Sequence, residues 1–413
     1  MGRFFGRMTS TQCAALLDEP GLVELLRNEK YDVLISEQFD MCGVGLSHLI
    51  KPRSLICTSS SIVFGYQFDE FGIPQPASFT PAEQMSKFDV HSIYDRLLNL
   101  YSTFLERLNF HNARTDVCLS LGHFYRIWQS DIQEISSHAA FMFINSEPLI
   151  DFATPTINRV ISIGGIGAKE PKPLDKEWEE VLNRRDRAVL LSFGSVMRSA
   201  YLKDAIKQSI LKTVAAFPDV TFIWKYEEED EFSVKEASKL NNLFLTKWMP
   251  QLDILNHKRL AAFITHGGMG STMETSLAGV PGIFIPLFGD QPRNAGMMDH
   301  NKLGKVLSKY DMADSSKFIA AVKEVLEDKI YHSNAKRVSA MLRKKPFSSI
   351  EKVIKYTEFA AEFGPSSALR PQSHDMTFIE YYNIDIIAAI VLVTIVVCLI
   401  ALKISKGIVK KFI

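Results

Sequence analysis

The residues best suited to chemistry lie together in the second half of the chain, between positions 248 and 291. An apolar run ends at Thr265, and a glycine-rich turn then leads into a helical pattern. The N-terminus of a helix presents unpaired backbone N–H groups and about half a positive charge, so a glycine turn there can bring those amides to a diphosphate. The residues predicted to contact such an anion are His266, Gly267, Gly268, Gly270 and Ser271.

Three neighbouring side chains suit the rest of a uridine nucleotide. Glu274 lies three residues after Ser271 on the same helical face, where its carboxylate can accept hydrogen bonds from two ribose hydroxyls. Trp248 offers a flat face for a base, and Gln251 carries the paired donor and acceptor that match the edge of uracil. Each residue alone has an ordinary structural explanation, and a two-glycine turn alone is weak evidence. Found in this order, they predict a nucleotide site.

Two more loops are expected to reach the same ligand. Asp290 and Gln291 follow the apolar run 282–287, which we interpret as a buried strand, and ligands of open α/β sheets collect at the carboxyl ends of strands. Both side chains are therefore predicted to bind the hydroxyls of a sugar attached to the diphosphate. The segment 192–195 ends another predicted strand and can place the Ser195 hydroxyl on the phosphates.

The stretch 248–291 resembles the signature of the UDP-glycosyltransferases, and within them the membrane-bound UDP-glucuronosyltransferases of animals, especially invertebrate members. The resemblance covers most of the chain. Other matching segments are 31–42, 163–166, 172–174, 191–195, 223–225 and the C-terminal apolar run.

The resemblance implies an α/β fold of two facing Rossmann-like domains, the GT-B arrangement. It also implies inverting transfer of a sugar, glucuronic acid or else glucose, from UDP to a hydroxyl of a small lipophilic acceptor. Such enzymes use no catalytic metal and no cofactor, since the UDP-sugar is a co-substrate. The chain has no Asp-x-Asp pair of the kind that holds a divalent ion in the other large glycosyltransferase class.

Inverting transfer needs a base for the acceptor proton and a carboxylate to orient that base. In the family the carboxylate stands five residues before a cysteine, and counting back from Cys42 gives Glu37, where an aspartate is more usual. Asp40 is the nearby alternative. His48 follows Glu37 in a position where a helix is expected, so we interpret it as structural.

The family's base histidine lies ahead of the part that matches 31–42, and residues 1–30 contain no counterpart to it and no signal-peptide core. We therefore expect the first units of the N-terminal sheet to be missing. The alternative to an enzyme is a catalytically incomplete protein that binds UDP-sugar or regulates full-length relatives, as a homo- or hetero-oligomer.

Composition limits the remaining possibilities. Lys plus Arg and Asp plus Glu both number 47, and this balance argues against a nucleic-acid-binding protein. The cysteines show no Cys-x-x-Cys pair and no metal-ligand spacing, so a disulfide framework is not required, although a single bridge remains open. They are Cys13, Cys42, Cys57, Cys118 and Cys398.

Residues 386–402 form an apolar run without a charged side chain. At about 1.5 Å per residue, such a run covers roughly 26 Å, which matches the thin bilayer of the endoplasmic reticulum. Tyr381 and Tyr382 precede it and several lysines follow it, as expected at the two membrane interfaces. We expect a single span with a cytosolic tail and a lumenal main part, and the last four residues resemble a dilysine retrieval signal. A buried core helix is the competing interpretation.

Strands are predicted near 31–36, 53–58 and 140–145 in the first domain and at 188–193, 220–224, 260–265 and 282–287 in the second. Strands that alternate with helices require parallel sheets. Aromatic residues are dense between 61 and 128, where they form either a wall of the acceptor pocket or ordinary core packing. The predicted divisions are a shortened acceptor-binding domain (1–165), a UDP-sugar-binding domain (166–345), helices that cross back (346–383), a transmembrane helix (384–402) and a cytosolic tail (403–413).

Overall fold

The computed structural model describes residues 2–39, 41–108 and 129–412 of the chain. They form two parallel sheets with helices packed on them, so the predicted α/β class with two Rossmann-like domains is confirmed.

The first sheet contains four parallel strands that are neighbours in chain order. These are β1 (Val33–Glu37), β2 (Ser54–Ser59), β3 (Phe141–Ile144) and β4 (Val160–Ser162). The helices around them are α1 (Gly2–Leu17), α2 (Leu22–Asn28), α3 (Cys42–Ile50), α4 (Gly65–Phe71), α5 (described over 93–108) and α6 (Gln129–Ser137). A disulfide between Cys13 and Cys42 joins α1 to α3, which is the single bridge that the sequence left open.

The second sheet contains six parallel strands in the spatial order β10-β9-β8-β5-β6-β7. The chain steps outward from β5 to β7 and then returns to the other side of β5 at β8, which places the topological switch point between β5 and β8. The strands are β5 (Arg187–Ser192), β6 (Val220–Lys225), β7 (Leu243–Thr246), β8 (Leu260–Thr265), β9 (Gly282–Phe284) and β10 (Gly304–Val306).

The helices of the second half follow the expected alternation. The central strands β5 and β8 are buried on both faces, and this explains why they read as continuous apolar runs. The helices are α7 (Lys176–Leu182), α8 (Asp204–Ala216), α9 (Gln251–Leu255), α10 (Met269–Ala278), α11 (Gln291–His300), α12 (Ser315–Glu327), α13 (Lys329–Arg343), α14 (Ser349–Phe363), α15 (Phe378–Tyr381) and α16 (Ile384–Phe412).

Three short strands, β4, β7 and β10, were not predicted, and β9 is shorter than predicted. The predicted strand 282–287 leaves the sheet after Phe284, and the chain then turns through Gly289, whose φ is +62°. The backbone thereby carries Asp290 to the N-terminus of α11 rather than to the end of a strand.

Helix α14 packs against the first sheet, although it follows the second domain in the chain. A capping box of Ser348 and Glu351 begins the helix. The Tyr356 ring lies edge-on to Phe141 with centroids 4.8 Å apart, and the Arg53 guanidinium donates to the Ala361 carbonyl at 3.1 Å.

Buried ion pairs also join the two domains. Arg293 on α11 pairs with Asp151 at 2.7 Å, and Lys345 pairs with Glu147 at 3.0 Å. Removing one partner of a buried pair leaves an uncompensated charge, so these contacts fix how the domains face each other.

Helix α16 contains a segment, Ile384–Lys406, that is long and apolar enough to cross a membrane. Its side chains lie outside the protein core, which argues against the competing interpretation as a buried helix.

Two carboxyl groups, the half-buried Glu83 and the buried Glu106, lie beside α11 at the domain interface. The Glu83 carbonyl accepts from the Arg293 amide at 3.1 Å, and the Glu106 carboxylate accepts from the Gln84 amide at 3.3 Å. Burial, together with the charges of Glu106 and Asp290, raises the pKa of Glu83 to about 8, and burial raises the pKa of Glu106 to about 7.

We predict that Glu83→Gln stabilises the protein at alkaline pH. Between the ordinary carboxyl pKa of 4.5 and the folded value of about 8, the unfolded chain has lost a proton that the folded chain keeps. The free energy of unfolding of the wild type therefore falls as pH rises through this range. Thermal unfolding from pH 4.5 to 9 should show a smaller decline for Glu83→Gln, with the exposed Glu327→Gln as control. Parallel curves for wild type and Glu83→Gln would contradict the assignment.

Candidate active site

The loops after β5 and β8 meet around the His266 side chain. The two strands pair side by side, with Ser192 opposite Thr265, so both chains leave the sheet at the same edge. A Cβ atom on Gly194 would lie 2.7 Å from the imidazole, and one on Gly268 would lie 2.6 Å from it. Both contacts are too short for any side chain, so glycine is required at each position for His266 to lie between the loops.

Burial lowers the pKa of His266, although the charge of Asp290 acts in the opposite direction, and the lowered pKa favours the neutral imidazole. The Thr265 hydroxyl lies 3.4 Å from Nδ1. A neutral imidazole can donate one hydrogen bond to a phosphate oxygen, and the positive electrostatic potential for the anion then comes from the helix N-terminus.

The N-terminus of α10 lies directly behind this histidine. Gly268 is the N-cap residue, has no side chain to cap the helix, and accepts the first helical bond from the Thr272 amide at 3.0 Å. The helix begins at Met269, two residues earlier than its predicted start, so Gly270 and Ser271 lie in its first turn. Their amides face the N-terminal end, where a diphosphate is stabilised.

The residues predicted for uracil and ribose lie in direct contact. Gln251 Nε2 donates to the Glu274 carboxylate at 2.7 Å and lies 3.4 Å from the Ser271 hydroxyl. Burial raises the pKa of Glu274, and the hydrogen bond from Gln251 partly offsets this rise. Trp248 is 71% exposed, so its ring face is open to a base. Ser195 is exposed on the loop after β5.

Asp290 and Gln291 lie at the start of α11, but their side chains differ in which polar atoms already have hydrogen-bond partners within the protein. The Asp290 carboxylate accepts from Asn294 Nδ2 at 2.8 Å and from the Ser61 hydroxyl of the first domain at close range. Gln291 is buried, and its Oε1 accepts from the amides of Leu287 and Phe288 at 2.9 and 3.1 Å. Only the Nε2 end of Gln291 can therefore donate to a ligand.

Three residues that support the site were not singled out from the sequence. Lys225 Nζ donates to the Gly194 carbonyl at 2.7 Å and brings a positive charge to the loop after β5. Asn294 Nδ2 donates to the Gly267 carbonyl at 3.1 Å as well as to Asp290. Ser61 comes from the other domain. Lys225 at a strand end was a usable signal, whereas Asn294 and Ser61 give none in sequence.

Glu37 ends β1, far along the chain from the other site residues. Burial raises the pKa of its carboxyl group, while the Thr58 hydroxyl, 3.3 Å away, and the backbone of Ser60 and its neighbours lower it through hydrogen bonds. Among the described residues, no histidine is hydrogen-bonded to Glu37. The alternative, Asp40, lies outside the described residues. His48 is exposed at the end of α3, and its interpretation as a structural residue stays a prediction.

The aromatic residues that were candidates for an acceptor wall divide into two groups. Phe64, Tyr66, Phe68 and Phe71 are buried in the core of the first domain, as the packing interpretation expects. The ring of Phe79 is exposed. Positions 109–128 lie outside the described residues.

Comparisons with known proteins find relatives along almost the whole chain. The family model described as UDP-glucoronosyl and UDP-glucosyl transferase matches residues 3–413. The chain is 30% identical to a Caenorhabditis elegans protein named as a UDP-glucuronosyltransferase, ugt-48, over 92% of this chain and 72% of that protein. It is 28% identical to human UDP-glucuronosyltransferase 1A10, over 95% of this chain and 72% of that protein.

Solved structures show the same fold at low sequence identity. Os79 from O. sativa, solved in complex with UDP, has a TM-score of 0.56 and 17% identity, covering 87% of this chain and 84% of that one. The glycotransferase of kitacinnamycin has a TM-score of 0.58 and 17% identity, covering 84% and 82%. The fold is therefore that of the GT-B glycosyltransferases. The chain belongs to the UDP-glucuronosyl and UDP-glucosyl transferase family, whose members transfer a sugar from UDP to an acceptor.

We predict that Gly268→Ala destabilises the protein by about 1–3 kcal/mol, because the added methyl group meets the His266 ring. The backbone of Gly268 is in an extended conformation that alanine adopts easily, so backbone strain does not contribute. In a His266→Ala background, Gly268→Ala should no longer destabilise the protein. Denaturant unfolding of the wild type, both single variants and the double variant measures this difference.

Gly270→Ala is the matched control, since a Cβ atom there meets nothing within 4 Å. Equal losses of stability in Gly268→Ala and Gly270→Ala would show that His266 does not lie between the loops as described.

Proposed function

We propose that the protein transfers glucuronic acid from UDP, with inversion, to a hydroxyl group of a small lipophilic acceptor. The observation that carries this proposal is the meeting of the His266 loop, the N-terminus of α10 and the Gln251–Glu274 pair at one switch point. The choice of glucuronic acid is supported by the names of the relatives.

The proposed roles follow the geometry from base to sugar. Trp248 stacks on uracil and Gln251 binds its edge, while Glu274 accepts from the ribose hydroxyls. Asp290 and the Nε2 group of Gln291 bind hydroxyls of the sugar. The diphosphate is held by Ser195, His266, Gly267, Gly268, Gly270 and Ser271.

The chemical step places charge on the UDP leaving group as the bond from the sugar to the phosphate breaks. Fixed donors at a helix N-terminus stabilise that charge without having to reorganise. The acceptor oxygen bonds to the sugar carbon as its proton passes to a general base, and Glu37 is the carboxylate proposed to orient that base. No cofactor takes part in this scheme.

We further propose that α16 anchors the protein in the endoplasmic reticulum membrane, with the two domains in the lumen and the tail in the cytosol. The support is the apolar segment Ile384–Lys406, the tyrosines that precede it and the lysines that follow it.

A second candidate function is a protein that binds UDP-sugar without transferring it, or that regulates relatives by pairing with them. It is favoured by one observation: among the described residues, Glu37 has no histidine as a hydrogen-bonding partner. Both candidates keep the nucleotide site, but only the first turns over a sugar donor.

We predict that Glu274→Gln lowers UDP affinity about 10- to 100-fold, since it removes charge-assisted hydrogen bonds to ribose. Titration calorimetry on the full chain in phospholipid nanodiscs measures this, with Glu327→Gln, an exposed glutamate on α12, as control. If the double variant His266→Ala, Glu274→Gln bound UDP like the wild type, the proposed site would be wrong.

We predict that Glu37→Gln reduces sugar transfer about 100-fold or more while UDP affinity stays unchanged. The assay uses labelled UDP-glucuronic acid or UDP-glucose, a simple phenol as acceptor, and the full chain in microsomes. Preference for the first donor supports glucuronic acid. UDP binding by the wild type with no transfer from either donor would favour the second candidate function.

A further inference from the structure

Asp290 occupies the N-cap position of α11, but its side chain does not cap the helix. An aspartate in that position normally accepts a hydrogen bond from the backbone amide two or three residues further along. In α11 the second helical residue is Pro292, which has no backbone N–H group, and the third is Arg293. The Arg293 amide is therefore the group that the Asp290 carboxylate would be expected to cap.

The first domain caps this amide instead. The Glu83 carbonyl accepts from the Arg293 amide at 3.1 Å. The Gln84 side chain donates to the carbonyl of Gly289, one residue before Asp290, at 3.2 Å. The chain is thus bonded to the first domain on both sides of Asp290, and the helix does not need the Asp290 carboxylate as its cap.

Two donors fix the orientation of the Asp290 carboxylate. The Ser61 hydroxyl of the first domain and Asn294 Nδ2 both donate to the same oxygen, Oδ2. Within the described part of the chain, the other oxygen, Oδ1, has no hydrogen-bond partner. Each carboxylate oxygen can accept hydrogen bonds, and Asp290 is only half-buried, so Oδ1 is available to a ligand.

The approach of segment 83–86 to α11 depends on Gly296. A Cβ atom on Gly296 would lie 2.8 Å from the Ser86 carbonyl oxygen and 3.1 Å from that of Met85. These neighbours are backbone atoms, which cannot move aside as the end of a flexible side chain can. Glycine at this position therefore lets the first domain reach the N-terminus of α11.

Two buried side chains of α5 hold the same segment from the other side. Asn99 Oδ1 accepts from the Ala82 amide at 2.7 Å, and the Glu106 carboxylate accepts from the Gln84 amide at 3.3 Å. Because the residues on both sides of Glu83 are fixed, its carbonyl is positioned for the helix in advance.

We propose that the first domain positions Asp290 for the donor sugar. Its Glu83 carbonyl replaces the carboxylate as the cap of α11, and its Ser61 hydroxyl holds Oδ2 so that Oδ1 faces the sugar. This inference rests on the proposed function, in which Asp290 binds sugar hydroxyls. Ser61 is then a positioning residue, since it acts on the sugar through Asp290. Without these contacts the carboxylate would bond to the Arg293 amide, and the sugar would lose an acceptor.

The positioning should affect the sugar and not the nucleotide, because the proposed contacts to uracil, ribose and diphosphate all come from the second domain. The measured quantity is the dissociation constant of the UDP-sugar divided by that of UDP. Damage that is merely structural would weaken the binding of both ligands and leave this ratio unchanged.

The test titrates UDP, UDP-glucuronic acid and UDP-glucose by calorimetry into the full chain in phospholipid nanodiscs, without an acceptor. The donor that the wild type binds more tightly supplies the ratio. Ser61→Ala removes the donor to Oδ2, and Gly296→Ala separates segment 83–86 from α11. Asp290→Ala, which removes the carboxylate itself, is the reference variant.

Each test variant has a matched control. Ser60→Ala changes the exposed serine next to Ser61. Gly167→Ala adds a Cβ atom that meets nothing within 4 Å.

We expect the ratio to rise about 10- to 100-fold in Asp290→Ala and about 5- to 20-fold in Ser61→Ala and Gly296→Ala, since hydrogen bonds to a charged acceptor are lost or misdirected. UDP affinity should stay at the wild-type value in all three variants, which also shows that they have folded. Both controls should keep the wild-type ratio.

A raised ratio in Asp290→Ala, together with wild-type ratios in Ser61→Ala and Gly296→Ala, would overturn the positioning role and leave the proposed sugar site intact. A wild-type ratio in Asp290→Ala would overturn both. Equal losses of affinity for UDP and UDP-sugar in Ser61→Ala and Gly296→Ala would show a structural role only, and would also overturn this inference.

Discussion

The candidate active site depends on a steric constraint: one imidazole ring fills the space between two loops, so the loop residues next to it cannot carry side chains. His266 lies between Gly194 and Gly268, so the loops after β5 and β8 keep a fixed separation. The Lys225 amine holds one loop through the Gly194 carbonyl, and Asn294 holds the other through Gly267. The helix N-terminus behind them is thereby positioned before any ligand arrives. Less conformational entropy is therefore lost when a ligand binds.

The same site is completed from outside its own domain. Ser61 of the first domain donates to Asp290, and the Gln84 side chain donates to the Gly289 carbonyl at 3.2 Å. The end of the site that we propose binds the sugar is therefore coupled to the domain interface, whereas the proposed uracil and ribose end contains Gln251 and Glu274 of the second domain. On this proposal, a change in how the domains face each other would act first on recognition of the sugar.

The sequence predicted what is local and missed what is not. The strand, turn and helix from β8 to α10 follow one another in the chain, so their pattern was readable. Strands β7 and β10 are short and depend on pairing with neighbours that the pattern does not show. Ser61 and Asn294 acquire a role only through tertiary contacts. The same holds for Asn99, whose side chain donates to the carbonyls of Ala77 and Thr80.

The Cys13–Cys42 bond gives the first domain a covalent ring that encloses α2 and β1. Helix α1 therefore stays attached to the start of α3 even if the turn at Gly21 opens or is cut by a protease. A fragment released there would separate from the rest only after reduction, so α1 is retained in oxidising compartments and becomes detachable in reducing ones.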